Sequence, residues 1–397
     1  MRSALVMLLL GSSLLWAGSA RRPPDSLILT NVDVVDTRYG QILPNMTVVI
    51  QDGIVKSVTK IGIVDGGPHV RVMNAAGKYL VAGFWDMNAK VSGDGGQAWD
   101  SKALYALYLS NGVVGIRESD GSSERMRLVS KMTTPPTTVE AQQNPGVALL
   151  RAEKDRAIED VYDILRGCCS SSKPLGREPS MQDFDNSEPL HADIYDPQKT
   201  TELFHEVSET GGWVIPGLVA VEAPIVNVPE QDWKSIDDPF SLDKESPRVQ
   251  RLLQARARFR QALQLAHEMA HAGVQLLAGT SGRGAHLLPG RSLHRELQLL
   301  VKTGCSPFEA LQSATFNAAI YLAKADKYGV VEPGHVADLV LLDGNPLQDI
   351  SNTQKISGVI LEGHYYPRAE LDRLAAGLEP NKTEAANTAA VGAKAAE

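Results

Sequence analysis

Apolar and polar residues alternate along 26–36 (SLILTNVDVVD), the pattern of a half-buried strand. Two further β-type runs, 47–50 and 54–59, flank Gln51-Asp52-Gly53, and Asp-Gly between such runs predicts a tight hairpin. Residues 69–73 add another strand. Asn74-Ala-Ala-Gly77 then turns the chain into the apolar run 81–85, a single buried strand by its pattern. Beyond it the period changes. Residues 104–111 read as a helix ending at Asn111-Gly112, and 112–117, 213–218 and 274–278 read as buried strands. A long helix runs from about 248 to 272 and stops at Gly273, with Leu252, Phe259, Leu263, Ala266 and Ala270 on its apolar face. Near the other end, 327–335 is a turn, and 337–343 and 356–361 are strands.

The ends of the chain carry separate signals. Arg2 precedes an apolar run over 4–16 and the small residues Ala17-Gly-Ser-Ala20, so 1–20 reads as a secretory signal peptide, too short for a membrane span. A secreted or periplasmic product follows, with no membrane attachment once the leader is cleaved. From about 377 Ala, Asn, Lys and Glu dominate without periodicity, and 376–397 is expected to be a disordered tail. Formal net charge is −8 without a basic cluster, which argues against a nucleic-acid partner. The three cysteines, Cys168, Cys169 and Cys305, leave at least one thiol free within the monomer; Cys305 could pair with one of the adjacent two. Asn45-Met-Thr47 and Asn381-Lys-Thr383 are glycosylation sequons, meaningful in a eukaryotic host.

The stretch Leu80-Val-Ala-Gly-Phe-Trp-Asp-Met-Asn-Ala-Lys90, the run Gly273-Val-Gln-Leu-Leu-Ala-Gly-Thr-Ser281, the helices around 289–297 and 306–318, and Pro333-Gly-His-Val-Ala-Asp-Leu339 form a recognisable set. Together they resemble the amidohydrolase superfamily, on its prolidase-like and imidazolonepropionase-like branch. The resemblance covers roughly 26–120 and 155–375. It implies an α/β fold: a TIM-type (β/α) barrel over 81–324 beside a small β-sandwich built from 26–80 and 325–375. The barrel is expected to be incomplete. Only about forty residues separate Arg117 from Ile158, where the family would place three strand–helix units, and one βαβ unit needs about 30 residues. At most one strand, at 147–150, is expected there.

The family's chemistry depends on one or two divalent ions, which lower the pKa of bound water while a carboxylate moves its proton. The resemblance implies metal-binding His at positions occupied here by Asn88 and Lys90, another at Asp160, and a ligand Asp at Ser281. One carboxylate and two neutral oxygens beside an ammonium make a poor site for a zinc-type ion. No cofactor is therefore expected, and Lys90 and Asp160 could instead pair where the ion would sit. A different metal motif, His267-Glu-Met-Ala-His271, matches the H-E-x-x-H of zinc peptidases. On the long helix, however, His267 and His271 fall roughly 70° and 110° from the centre of the apolar face, with Glu268 almost opposite it. His294 reads as a structural histidine, His286 as a loop residue, and Asp86 as an anchor of the rim rather than a catalytic group.

These readings point to an exported amidohydrolase-like protein with a degenerate metal centre, a pseudoenzyme. The enzymatic alternative is a hydrolase of C–N bonds carrying zinc or another divalent ion. A zinc peptidase, or an internally shortened frame that folds poorly, is a further alternative. Unpaired barrel edges favour a homo-oligomer, and no small-molecule ligand can be named from the sequence.

Overall fold

The computed structural model describes residues 26–60, 70–89, 101–119, 124–128, 158–160, 197–226, 228, 246–280 and 287–376. In chain order the elements are β1 (Ser26–Asp36), β2 (Gln41–Gln51), β3 (Ile54–Thr59), β4 (Val70–Asn74), β5 (Tyr79–Ala82), β6 (Phe84–Ala89), α1 (Ser101–Ser110), β7 (Val113–Ser119), β8 (Glu124–Leu128) and β9 (Ile158–Asp160). They continue with α2 (Pro197–Glu209), β10 (Trp213–Ile215), α3 (Leu218–Glu222), α4 (Pro247–His271), β11 (Gln275–Leu276), α5 (Arg291–Lys302), α6 (Pro307–Ser313), α7 (Phe316–Tyr321), β12 (Leu339–Leu342), β13 (Ile356–Leu361), β14 (His364–Pro367) and α8 (Arg368–Ala375).

Both chain ends share one eight-stranded sheet, ordered β14-β13-β12-β5-β1-β2-β3, with β4 on the first half of β1. Its seam is the antiparallel pairing of β5 with β12, which sets Leu80 opposite Leu341. The hairpin between β2 and β3 turns at Asp52 and Gly53, both at positive φ (55° and 74°), as the Asp-Gly signal requires. Alternation places Leu27, Leu29, Val48, Ile50, Leu80, Leu339, Leu341 and Ile360 in one dry cluster.

The apolar run expected as one strand over 81–85 is two strands. β5 belongs to the terminal sheet, and β6 to a separate sheet with β7 and β8. Gly83 makes the transfer. Its N–H donates to the Asp338 carbonyl (2.8 Å), and a Cβ there would lie 2.5 Å from the Val114 side chain. Continuous apolarity could not reveal the break, because both halves are buried on both faces.

Two three-stranded sheets lie side by side and form a wall. β6 pairs parallel with β7, and β10 pairs parallel with β9 and β11. One backbone bond joins the two pieces, Met87 N–H to the Ala278 carbonyl (2.9 Å), while Leu277 N–H to the Val214 carbonyl (2.9 Å) extends the pairing of β11 with β10. The order is thus β7, β6, β11 with its extension to 280, β10, β9. Helices α4 to α6 pack on the wall through Phe259, Ala266, Met269, Leu293, Leu297 and Leu311. The architecture is mixed α/β, and among the described residues the wall does not close into a barrel. In the stretch expected to hold at most a strand at 147–150, which lies outside the described residues, β8 is an additional strand. It runs antiparallel to β7, so it is not a further barrel unit.

Helix α4 begins with the Ser246 side chain accepting from Val249 N–H and Pro247 at its first position, and it ends before Gly273 at φ 75°. Its buried stripe is Phe259, Ala262, Leu265, Ala266 and Met269, rotated from the expected face. Leu252, Leu263 and Ala270 are only half-buried, and Glu268 is half-buried rather than opposite the core. No helix among the described residues is long and apolar enough to cross a membrane. Cys305 is a free, buried thiol, so the pairing considered from the sequence is not made; burial, then the Glu309 charge, pushes it up to about 11. Cys168 and Cys169 lie outside the described residues.

Candidate functional site at the strand rim

In a parallel (β/α) wall the carboxyl ends of the strands form the reactive rim. Here that rim is built from Asp86 and Asn88 on β6, Arg117 on β7, Ile215 on β10 and Gly279-Thr280 after β11. Gly279 lets the strands close up: a Cβ on it would lie 2.7 Å from Ile215 Cγ2 and 2.8 Å from Asn88 N. Register then continues across the wall, with Ile215 opposite Asp160 of β9. Asn88 and Asp160 therefore share one level of the rim, separated by two strands. Lys90, Ser281 and His286 lie outside the described residues, so the pairing of Lys90 with Asp160 does too.

Asp86 is the best-held polar group at the rim. Its Oδ1 accepts from Thr280 N–H (3.0 Å) and Asn88 N–H (3.2 Å), and its Oδ2 accepts from the Thr280 hydroxyl (2.7 Å). The side chain is fully buried, and burial raises its pKa although these donors pull the other way. This carboxyl stitches β6 to the segment that follows β11, the role of an anchor. Arg117 was not singled out in the sequence. It is buried at 7% exposure, donates from Nη1 to the Met87 carbonyl (3.0 Å), and lays its guanidinium over the Tyr321 ring at 5.6 Å. Its signal was a lone charge ending the apolar run of β7. Thr280, also missed, stands directly before Ser281.

A divalent ion requires deprotonated, convergent ligands. The described rim supplies a neutral amide at Asn88, a carboxyl whose two oxygens already accept three hydrogen bonds, and a buried guanidinium one strand away. These residues do not fit a dication. Among the described residues no three His, Cys, Asp or Glu side chains gather as a metal-binding group.

Behind the wall the polar groups are structural. Glu296, buried on α5, accepts Val219 N–H (2.7 Å) and so caps α3; Glu222 of α3 is held by Arg295 in a forked ion pair. His294 donates from Nε2 to the Asn111 carbonyl (3.0 Å), has Thr353 Oγ1 at 3.0 Å from Nδ1, and meets Phe84 edge-on. Burial lowers its pKa to about 4. His267 and His271 are exposed at the end of α4, which immediately precedes β11. They therefore lie toward the amino end of the strands, away from the rim.

Residues 233–365 match the Amidohydrolase family. A stretch of 101 residues is 35% identical to the ochratoxinase of Aspergillus niger and covers 25% of this chain. The chain spans about a fifth of the length of the curated relatives it matches, 21%. Two solved structures share the fold. A Xaa-Pro dipeptidase with methionine bound in its active site superposes with a TM-score of 0.53 at 16% identity, over 86% of this chain and 100% of that one. The crystal structure of Aspergillus niger ochratoxinase superposes with a TM-score of 0.52 at 15% identity, over 87% of this chain and 96% of that one. Such neighbours imply a TIM-type barrel; the described residues here are mixed α/β without a closed barrel. Over residues 233–365 the chain thus matches the Amidohydrolase family, and the solved structures show that it shares their fold.

Proposed function

We propose that this chain is an exported pseudoenzyme of amidohydrolase type: a relative that keeps the frame and binds or scaffolds without metal-dependent hydrolysis. The observation behind the reading is the chemistry of the rim. The position after Met87 is an amide, Asp86 is committed to Thr280 and Asn88, and Arg117 places a fixed cation beside them. A cation built into the wall disfavours a second, divalent one nearby, since like charges in a partly desolvated cleft repel strongly. Export rests on the leader-like pattern of 1–20.

The second reading is an active hydrolase of C–N bonds with a divalent ion. The 35% identity to an ochratoxinase favours it. The zinc-peptidase alternative gains no support, because no third ligand joins His267 and His271 among the described residues. An assay of the purified chain on ochratoxin and on Xaa-Pro dipeptides, with and without added zinc, separates the first two readings. The pseudoenzyme hydrolyses neither above the background rate. Zinc-dependent turnover of either one establishes the hydrolase.

A further inference from the structure

We propose that His267 and His271 form a two-nitrogen surface site for a borderline divalent transition-metal ion, on the outside of the wall and independent of the rim. Four observations carry this. The residues are four apart on α4, so both imidazoles rise from the same face. Their ring centroids lie 4.1 Å apart with the planes tilted by 44°. Both rings are already oriented, since His267 Nδ1 lies 2.7 Å from the Thr303 carbonyl and His271 Nδ1 lies 2.9 Å from the His267 carbonyl. A carbonyl can only accept, so each Nδ1 carries the proton and each Nε2 keeps its lone pair. Both side chains are exposed and reachable by an ion from solvent.

That arrangement is the one metal-binding histidines adopt. The far nitrogen donates to a backbone carbonyl, which fixes the tautomer, orients the ring and raises the basicity of the ligating nitrogen. One ion held about 2.0–2.1 Å from each Nε2 can be shared by two rings this close. Gly304, at φ 108°, makes room for the rings: a Cβ on it would lie 3.1 Å from His267 Nδ1 and 3.5 Å from His271 Cε1. Glu268 is engaged along its own helix, where its Oε1 accepts from Gln264 Nε2 (3.1 Å). With two protein nitrogens and water elsewhere, the site selects by ligand type. It follows the order in which copper(II) binds imidazole more tightly than nickel, zinc or manganese.

The test is titration of the full chain with copper(II) in a non-coordinating buffer, read by calorimetry and by electron paramagnetic resonance. One saturable equivalent is expected, with nitrogen hyperfine structure from two equatorial imidazoles. His267→Ala and His271→Ala should each weaken binding on the order of 10²-fold, because either change turns a chelate into a single ligand. His205→Ala and His364→Ala remove exposed histidines elsewhere and should change nothing. Far-UV circular dichroism without metal establishes that each variant is folded. Three results would overturn the proposal: equal binding in the His267 and His271 variants, a one-imidazole spectrum in the parent chain, or binding only at millimolar copper.

Discussion

At the scale of single residues, Asp86 separates a structural from a chemical role at the rim. It accepts two N–H groups and one hydroxyl, all buried. Asp86→Ala strands those three donors and should cost at least about 3 kcal/mol, since each buried unsatisfied group costs about 1–3 kcal/mol. Asp86→Asn should cost much less. The amide oxygen can still accept from Thr280 N–H and Asn88 N–H, the amide N–H₂ can meet the Thr280 hydroxyl, and the desolvated charge disappears. Urea unfolding of the two variants checks this, and equal destabilisation would rule out the anchoring account. Asp86 was legible in the sequence as an anchor because it follows an apolar strand in a recognisable motif. Arg117 was not, because one cation after an apolar run does not reveal whether it turns to water or folds back on Met87.

At the scale of elements, His294 is the junction. From α5 it reaches the turn before β7 through Asn111, the turn before β13 through Thr353, and β6 through Phe84. Its pKa falls to about 4, chiefly through burial and secondarily through the Arg291 charge. The folded state therefore resists protonation below the unfolded value of 6.5. Its contribution to stability is complete above pH 6.5 and is lost progressively as the pH drops towards 4. The loss is about 3 kcal/mol, at roughly 1.4 kcal/mol per pKa unit. Denaturant unfolding at both ends of that range should show a smaller acid loss in His294→Gln than in the parent chain; identical pH slopes would contradict it. Element type and order were readable wherever one periodicity dominated, as in β1, the Asp-Gly hairpin and α4. What escaped were features set by tertiary contact. Gly83 divides an unbroken apolar run, because only packing against Val114 and Asp338 distinguishes its two halves. The stripe of α4 is rotated because the wall, not propensity, selects which residues are covered.

At the scale of the molecule, the two chain ends close one sheet while the middle supplies two short sheets, in which β6 runs parallel to β7 and β10 parallel to β9 and β11. The hydrogen bonds of Met87 to Ala278 and of Leu277 to Val214 hold β6, the end of β11 and β10 together. The frame was legible because its motifs are local in sequence. The chemistry was only partly so, since it depends on how distant side chains meet. The central claim is that this rim keeps the frame without a resident dication. Its most direct test is the metal content of the purified chain carrying both His267→Ala and His271→Ala, after dialysis. The double substitution removes the surface pair from the count. The account predicts well under one equivalent of zinc, manganese or nickel per chain, whereas one tightly retained equivalent in that variant would contradict it.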